Sequence, residues 1–292
     1  MYNCIDLNKT NIYNLKKLTA FSPKFNNLNK DFFNIYDNSN FIQKHFQRKR
    51  VKILNYGEES IGYIWTTNNF RAVYTIEAMS VVSNNNLNLN LKKCYEKLLH
   101  SVSNKGVFIY ECEKNDYNFK TLKDIGFKIL NGTLEMKCNL DREYNFNVKG
   151  DIVIENLVLN RDEKKRCAIQ NAIFKKDGRT PLTVEDIYFD QCQNYYFDKG
   201  CFFIKLKGFV IGYGQIIIND GIPVIVNFGI LENFRGKGYG RLFLLFLISK
   251  AKQQKFREIF IRVDSSNTIA FNLYRSVGFK IEKEICTWKF KS

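Results

Sequence analysis

The stretch Arg235-Gly236-Lys237-Gly238-Tyr239-Gly240-Arg241 combines glycines with cations in a way that suits the binding of an anion. A β-branched and aromatic run precedes it and an apolar, helix-like run follows it, so the implied order is strand, glycine turn, helix. Glycines allow the backbone conformations in which several N–H groups converge on one phosphate at the positive end of the helix. The sequence therefore predicts a pyrophosphate cradle.

The spacing of these glycines separates the stretch from two common phosphate-binding loops. It fits neither the Gly-x-Gly-x-x-Gly fingerprint of dinucleotide folds nor the Gly-x-x-x-x-Gly-Lys-Ser/Thr loop of nucleoside triphosphatases. Its pattern Arg-x-x-Gly-x-Gly resembles the acetyl-coenzyme A loop of the GNAT N-acetyltransferase family. The resemblance implies that residues 235–241 bind the coenzyme A pyrophosphate and that acetyl-CoA is a co-substrate.

A second stretch, residues 263–279, is also similar to the GNAT family. In it Asn267, Phe271 and Tyr274 recur at i, i+4 and i+7, which places them on one face of a helix that the pair Gly278-Phe279 ends. The resemblance implies that Asn267 contacts the cofactor arm with Phe271 nearby, and that Tyr274 points at the thioester sulfur as the candidate acid. A cap role for Asn267 and a core role for Tyr274 are the structural alternatives.

The strand before the glycine turn carries the remaining predicted contacts. In the family, the fourth and fifth strands splay apart, which implies that backbone groups from Phe228 to Ile230 face the pantetheine arm and the thioester carbonyl. No carboxylate stands out as a general base, because Val224 occupies the position where some family members carry glutamate. The nearby polar residues are Asn227, Asp220, Glu232 and Asp264. We therefore expect an acceptor amine of low pKa or a water-relayed base.

The chain also contains internal similarity at an offset of about 150 residues. Ile61-Gly62-Tyr63 recurs as Ile211-Gly212-Tyr213, and the run from Val107 to Ile129 recurs from Ile259 to Ile281. The repeat predicts two homologous domains. Together with the GNAT resemblance it implies an α/β (α+β) fold with two tandem GNAT-like domains, each a mixed, mostly antiparallel twisted sheet flanked by helices. We place a degenerate domain at residues 1–145 and the catalytic domain at 150–292.

The two predicted domains differ at the glycine turn. At the same offset Arg235, Gly238 and Gly240 align with Ser83, Asn86 and Asn88, whose side chains crowd a backbone that must approach phosphate closely. The amino-terminal domain is therefore expected to keep the fold without the cofactor. One coenzyme A per chain follows from this difference.

Hydrophobic periodicity and turn residues predict the elements within each half. For the first half we predict helices at 10–19, 30–47, 89–103 and 117–125, and strands at 51–56, 60–67, 72–82, 106–112 and 127–138. For the second half we predict helices at 161–174, 183–193, 239–254 and 267–277, and strands at 151–157, 201–206, 209–218, 223–231, 257–263 and 279–290.

Composition narrows the class of protein. The 292 residues are 45% hydrophobic, which suffices for globular cores, and the net charge of +16 is spread evenly over both halves, which argues against a nucleic-acid ligand. Eight scattered cysteines and two histidines predict reduced thiols and no metal site. The polar first residues and the shortness of the apolar runs predict a cytoplasmic protein without membrane attachment. The sequence leaves open whether the protein forms a homodimer.

Taken together, these features predict an acetyl-CoA-dependent N-acetyltransferase that acetylates a primary amine of a small molecule or peptide. The acceptor pocket is expected from residues 161–193, with the amino-terminal domain as a further candidate wall. A non-catalytic acyl-CoA-binding or sensing protein is the alternative, favoured if Tyr274 lies away from the cleft.

Overall fold

The computed structural model describes residues 1–82, 89–146 and 150–292, and their contacts divide the chain into two units. The first unit comprises Met1–Thr133 with Lys283–Ser292, and the second comprises Leu134–Glu282. The last residues group with the first unit because Ile285–Lys291 pair with the strand Val107–Glu113. These units are defined by contacts, so the predicted boundary between homologous domains at 145–150 stays a prediction.

The first unit is a mixed sheet with short helices. Its strands are β1 (Tyr2–Asp6), β2 (Val51–Tyr56), β3 (Glu59–Phe70), β4 (Val73–Val81) and β5 (Val107–Glu113), and β6 (Lys128–Asn139) begins in it. Its helices are α1 (Ile12–Thr19), α2 (Ser22–Phe25), α3 (Phe32–Tyr36), α4 (Phe41–Lys49), α5 (Leu91–Val102) and α6 (Asn118–Ile125). From β1 to β4 neighbouring strands are antiparallel, whereas β4 and β5 are parallel.

The second unit repeats this arrangement. Its strands are β7 (Ile152–Asn156), β8 (Cys201–Leu206), β9 (Phe209–Asn219), β10 (Ile222–Ile230) and β11 (Glu258–Asp264), and β12 (Lys280–Lys291) begins in it. Its helices are α7 (Glu163–Ile173), α8 (Val184–Gln191), α9 (Tyr239–Gln253) and α10 (Thr268–Val277). The strand order is β6-β11-β10-β9-β8-β7. Strands β7 to β10 are antiparallel and β10 runs parallel to β11.

Helices cover both faces of the second unit's sheet. Phe202 and Phe203 are successive residues of β8 and lie in different apolar clusters, because alternate strand residues point to opposite faces. Phe202 packs in the cluster with Phe243 of α9, and Phe203 packs in the cluster with Ile173 of α7. The sheet therefore separates an α9 face from an α7 face.

The predicted elements agree closely with the observed ones, with three differences in the first unit. The predicted helix 30–47 is two helices, because Asn40 begins α4 with a capping box to Gln43 that stops α3 from continuing. Strand β1 was not predicted, because its five residues form a strand by pairing with β2, which its own short sequence does not indicate. The four-residue helix α2 was also missed. None of the helices within the described ranges has the length and apolar character that crossing a membrane requires.

Candidate active site

Strand β10 bends away from its parallel neighbour at its carboxyl-terminal half. It pairs with β11 at Val224 and Ile225, and its register with β9 then shifts between Val226 and Gly229. Asn227 lies in this bulge with a φ of +52°, a left-handed conformation that asparagine tolerates better than most residues. The bulge opens the sheet between β10 and β11.

The glycine turn follows β10 and begins helix α9. Gly236 and Gly238 have φ of +75° and +85°, so these positions require glycine for conformational reasons. Gly238 is the N-cap of α9 and, because glycine has no side chain, it caps none of the first backbone N–H groups of the helix, which are left available to a ligand. A Cβ on Gly236 or Gly238 would meet no chain atom within 4 Å, so open space lies beside both.

The three cations of the glycine turn differ in the hydrogen bonds that they make to the rest of the chain. The Arg235 guanidinium donates to the Ile230 carbonyl oxygen at 2.9 Å and to the Ile173 carbonyl oxygen at 3.2 Å. Arg235 thus ties the end of β10 to the end of α7. Lys237 Nζ donates to the carbonyl oxygen of Asn233 at 3.1 Å. Arg241 makes no hydrogen bond or ion pair to any residue that the structure describes.

Helix α10 presents two of the predicted residues to the same space. Asn267 is the N-cap of α10, and its side-chain oxygen accepts the Ala270 N–H at 3.1 Å, so the cap role is real and its amide nitrogen remains for a ligand. Tyr274 is 6% exposed and packs against Phe228 with ring centroids 6.2 Å apart. Burial raises the pKa of Tyr274 to about 12, so the phenol stays protonated at neutral pH.

A cavity of about 720 Å³ lies where β10, β11, α9 and α10 meet. Most of the predicted site residues line it: Phe228, Ile230, Arg235, Gly236, Gly238, Gly240, Arg241, Asn267 and Tyr274. Lys237, Tyr239 and Phe271 are not among its lining residues; Tyr239 and Phe271 pack partly buried against the α9 core. The structure brings the glycine turn and Tyr274 into one cavity, and the individual roles stay predictions.

The cavity also has walls that the sequence analysis did not name. Ile173, Phe174 and Arg179 line it from the end of α7 and the loop beyond, a region expected only in general to form the acceptor pocket. Gly229 explains how α7 comes so close, because a Cβ there would lie 2.3 Å from Ile173 Cγ2. A glycine in the middle of a predicted strand was the signal that could have indicated this close approach.

Two of the polar residues considered as bases line the cavity, Asn227 and Asp264. Asp264 accepts hydrogen bonds from the Ser266 hydroxyl at 2.6 Å and from the Ser266 N–H at 2.8 Å. The Ser266 side chain, followed by its backbone N–H, lowers the pKa of the Asp264 carboxyl, which weakens it as a base. Within the described part of the chain, no cluster of His, Cys, Asp or Glu could hold a metal ion.

Comparison with known proteins adds to this geometry. Residues 170–279 match the model of the acetyltransferase (GNAT) family. A GCN5-related N-acetyltransferase from Sphaerobacter thermophilus is 14% identical with a TM-score of 0.59, covering 99% of this chain and 95% of that one. A GNAT-family acetyltransferase from Colwellia psychrerythraea is 13% identical with a TM-score of 0.55, covering 100% of both chains.

A tandem GNAT protein from the clavulanic acid biosynthesis pathway is also similar in structure. It is 9% identical with a TM-score of 0.50, covering 100% of this chain and 98% of that one. At these identities the likeness shows the fold, which is the tandem architecture that the sequence predicted. No curated protein matches the chain in sequence.

Proposed function

Because residues 170–279 match the model of the acetyltransferase (GNAT) family, we propose that the chain is an acetyl-CoA-dependent N-acetyltransferase acting on a primary amine of a small molecule or peptide. The observation that carries the proposal is the single cavity that joins the glycine turn before α9 with Tyr274 and Asn267 of α10. An anion cradle and a protonated phenol in one cavity are what transfer from an acyl thioester needs.

The residues present fit coenzyme A. The unpaired N–H groups at the start of α9, the open space beside Gly236 and Gly238, and the free cation Arg241 would hold the pyrophosphate. Asn267 would donate from its free amide nitrogen to the cofactor arm. The bulge at Val226–Gly229 would expose backbone groups of Phe228 and Ile230 to the arm, and the bound acetyl thioester would supply the electrophile.

In the proposed reaction the nitrogen of a neutral amine attacks the thioester carbonyl carbon, the C–S bond breaks, and a proton returns to the sulfur. Tyr274 can donate a hydrogen bond or the proton to that sulfur, since its raised pKa of about 12 keeps the phenol protonated. A thiol of pKa about 8.5 leaves readily, so positioning contributes as much as acid catalysis. Tyr274 lines the cavity, which favours the enzyme over a non-catalytic acyl-CoA-binding protein.

The acceptor amine is proposed to have a low pKa. Deprotonating a lysine-like amine of pKa about 10.4 at pH 7 costs roughly 4.6 kcal/mol, whereas an α-amine near 8 costs about 1.4 kcal/mol. Of the carboxylates considered as bases, Asp264 lines the cavity. Its hydrogen bonds from Ser266 favour the charged carboxylate and engage it, so it is a weak base for the amine proton. A water-relayed base is the alternative route for the amine proton.

The cofactor is proposed to bind only in the second unit. Ser83–Asn88, which align with the glycine turn, lie outside the described residues, so the argument for a degenerate first copy rests on their sequence. Asparagine and serine side chains there would crowd the approach to a phosphate.

The test combines binding with transfer. Calorimetric titration of coenzyme A into the wild-type chain is expected to show one site, and mass spectrometry across a panel of primary amines is expected to show acetylated product. Tyr274→Phe should bind coenzyme A normally and transfer more slowly. Acetylation restricted to polyamines and lysine side chains would refute the low-pKa acceptor, and absence of coenzyme A binding would refute the proposal as a whole.

A further inference from the structure

A buried polar network lies on the α7 face of the second unit's sheet, directly behind the bulge of β10. Gln215 of β9 is fully buried and Arg166 of α7 is 1% exposed. The Arg166 guanidinium donates to Asp190 Oδ2 at 2.5 Å and to Gln215 Oε1 at 3.1 Å. Gln215 Nε2 donates to Asp190 Oδ2 at 3.3 Å, and Tyr195 donates its hydroxyl to Asp190 Oδ1 at 2.8 Å.

This network fixes which way the Gln215 amide points. A guanidinium only donates hydrogen bonds and an ionised carboxylate only accepts them. Gln215 must therefore turn Nε2 toward Asp190 and Oε1 toward Arg166. The opposite orientation would bring two donors together on one side and two acceptors together on the other. Gln215 Oε1 is thereby presented as an acceptor to the neighbouring strand as well.

The fixed Gln215 amide in turn orients Asn227. Asn227 Nδ2 donates to Gln215 Oε1 at 3.1 Å, so Asn227 Oδ1 points elsewhere and accepts no hydrogen bond from residues 1–82, 89–146 or 150–292. Asn227 lines the cavity. An oriented, unpaired carbonyl oxygen is therefore held in the wall of the cavity through one direct hydrogen bond, to Gln215, which Arg166 and Asp190 hold in turn.

Asn227 and Tyr274 occupy opposite faces of the sheet at the same opening. Phe228, the residue after Asn227, packs against Tyr274 and Phe243 on the α9 face, whereas Asn227 bonds toward α7 through Gln215. Ile173 and Phe174 of the α7 side line the cavity beside Asn227. The glycine turn and Tyr274 thus approach the opening from one face, and Asn227 approaches it from the other.

A further group on this face lacks partners. Arg166, Gln170 and Ile173 follow one another at i, i+4 and i+7 and so share one face of α7. Gln170 is 1% exposed, and neither atom of its side-chain amide has a hydrogen-bond partner among the described residues. Buried polar groups of this kind are normally satisfied by ordered water or by a ligand.

We propose that Asn227 Oδ1 accepts a hydrogen bond from an N–H of the acceptor amine and holds its nitrogen at the opening between β10 and β11, on the face opposite Tyr274. This inference rests on the proposed acetyltransferase function and assigns the amine-binding side of the cavity. The acceptor class is a primary amine, which keeps an N–H for Asn227 while its lone pair faces the thioester carbonyl. Asp190, Gln215 and Arg166 act as positioning residues through Asn227.

The test uses substitutions that the left-handed backbone at position 227 tolerates. Glycine and aspartate both accept a φ of +52°, so Asn227→Gly removes the oxygen without backbone strain. Asn227→Asp keeps an oxygen acceptor there and loses the donor to Gln215 Oε1. Asn272→Leu on α10, an exposed position outside the cavity lining, is the control for loss of an asparagine side chain. Each full-length variant is assayed with acetyl-CoA and an equimolar panel of small and peptidyl primary amines, with products identified by mass spectrometry.

Asn227→Gly is expected to lower kcat/KM for whichever amine is acetylated by about tenfold to a hundredfold, through KM for the amine, with coenzyme A affinity unchanged. Asn227→Asp should retain transfer and move the acid limb of the pH profile to higher pH, because a carboxylate there stabilises the protonated amine. Asn272→Leu should match wild type.

Four results would overturn the assignment. Unchanged kcat/KM in Asn227→Gly means that the oxygen touches no substrate. Equal loss of coenzyme A binding and transfer in that variant, or an unmoved pH profile in Asn227→Asp, means that the residue is only structural. Coenzyme A binding without transfer to any amine by the wild-type chain removes both this inference and the enzymatic function.

Discussion

Replacing Gly238 by valine perturbs the start of α9 where the cavity is most open. Gly238 has a φ of +85°, and a left-handed conformation costs a residue with a Cβ about 1–2 kcal/mol. The free energy of unfolding of ordinary domains is about 5–15 kcal/mol, so the fold should survive this loss. No chain atom lies within 4 Å of the added Cβ, so the Cβ introduces backbone strain and occupies open space.

The effect of Gly238→Val on binding should be much larger than its effect on the fold. The valine side chain would enter the space where the phosphates are proposed to lie and would tilt the N–H groups that follow it. Each charge-assisted hydrogen bond lost costs about 1.5–3 kcal/mol, which is roughly tenfold to a hundredfold in affinity. Loss of two such bonds would bring a micromolar site to the millimolar range or weaker.

Calorimetric titration with coenzyme A, paired with thermal unfolding, separates the effect of Gly238→Val on binding from its effect on the fold. Gly208→Val is the matched control, since Gly208 has a φ of +80° and open space around it but lies in the turn between β8 and β9, outside the cavity lining. Both variants should unfold at similarly lowered temperatures, and only Gly238→Val should lose coenzyme A. Affinity near wild type in folded Gly238→Val would show that the glycine turn binds no phosphate.

Three further predictions follow from the same cavity. Tyr274→Phe should lower kcat by less than about a hundredfold. Because the phenol pKa is raised from 10.0 to about 12, ionisation of the phenol should not lower wild-type kcat between roughly pH 8 and pH 10. A fall in wild-type kcat over that range that Tyr274→Phe abolishes would contradict this. Gly229→Ala should lower the free energy of unfolding by about 1–3 kcal/mol, because its Cβ would lie 2.3 Å from Ile173 Cγ2. In denaturant titration, adding Ile173→Ala should recover part of this loss, and strictly additive losses would contradict the close contact. Coenzyme A should bind with a stoichiometry of about one per chain, and a value near two, or density beside Asn86 in a crystal with coenzyme A, would restore a functional site to the first unit.

The parts of the site that the sequence predicted well are those encoded locally. The glycine turn, the helix after it and the face that carries Asn267 and Tyr274 each depend on residues close together in the chain, so spacing and periodicity predicted them. The bounds of β8 and of α9 agree with the predictions for the same reason. The apolar runs that form these elements begin and end at glycine or polar residues that can be recognised in the sequence.

The parts that could not be predicted depend on contacts between distant residues. The guanidinium of Arg235, a predicted cofactor contact, also bonds the carbonyl oxygens of Ile230 and Ile173. Ile173 lies 62 residues away in the chain, so only folding brings it near. In the sequence Asn227 is one of several polar residues near the site, and only the folded structure shows that Gln215 orients its side chain. Likewise, the break between α3 and α4 depends on the Asn40 capping box prevailing over continuous helical periodicity.

The most direct test of the central claim is acetyl transfer by the purified chain. The wild-type protein is incubated with acetyl-CoA and a panel of primary amines with pKa from about 7 to about 10.5, and products and free thiol are quantified by mass spectrometry over time. We predict a mass increase of one acetyl group on an amine of low pKa, with one free coenzyme A released for each product. Tight binding of acetyl-CoA without acetylation of any amine would contradict the enzymatic account and leave an acyl-CoA-binding protein in its place.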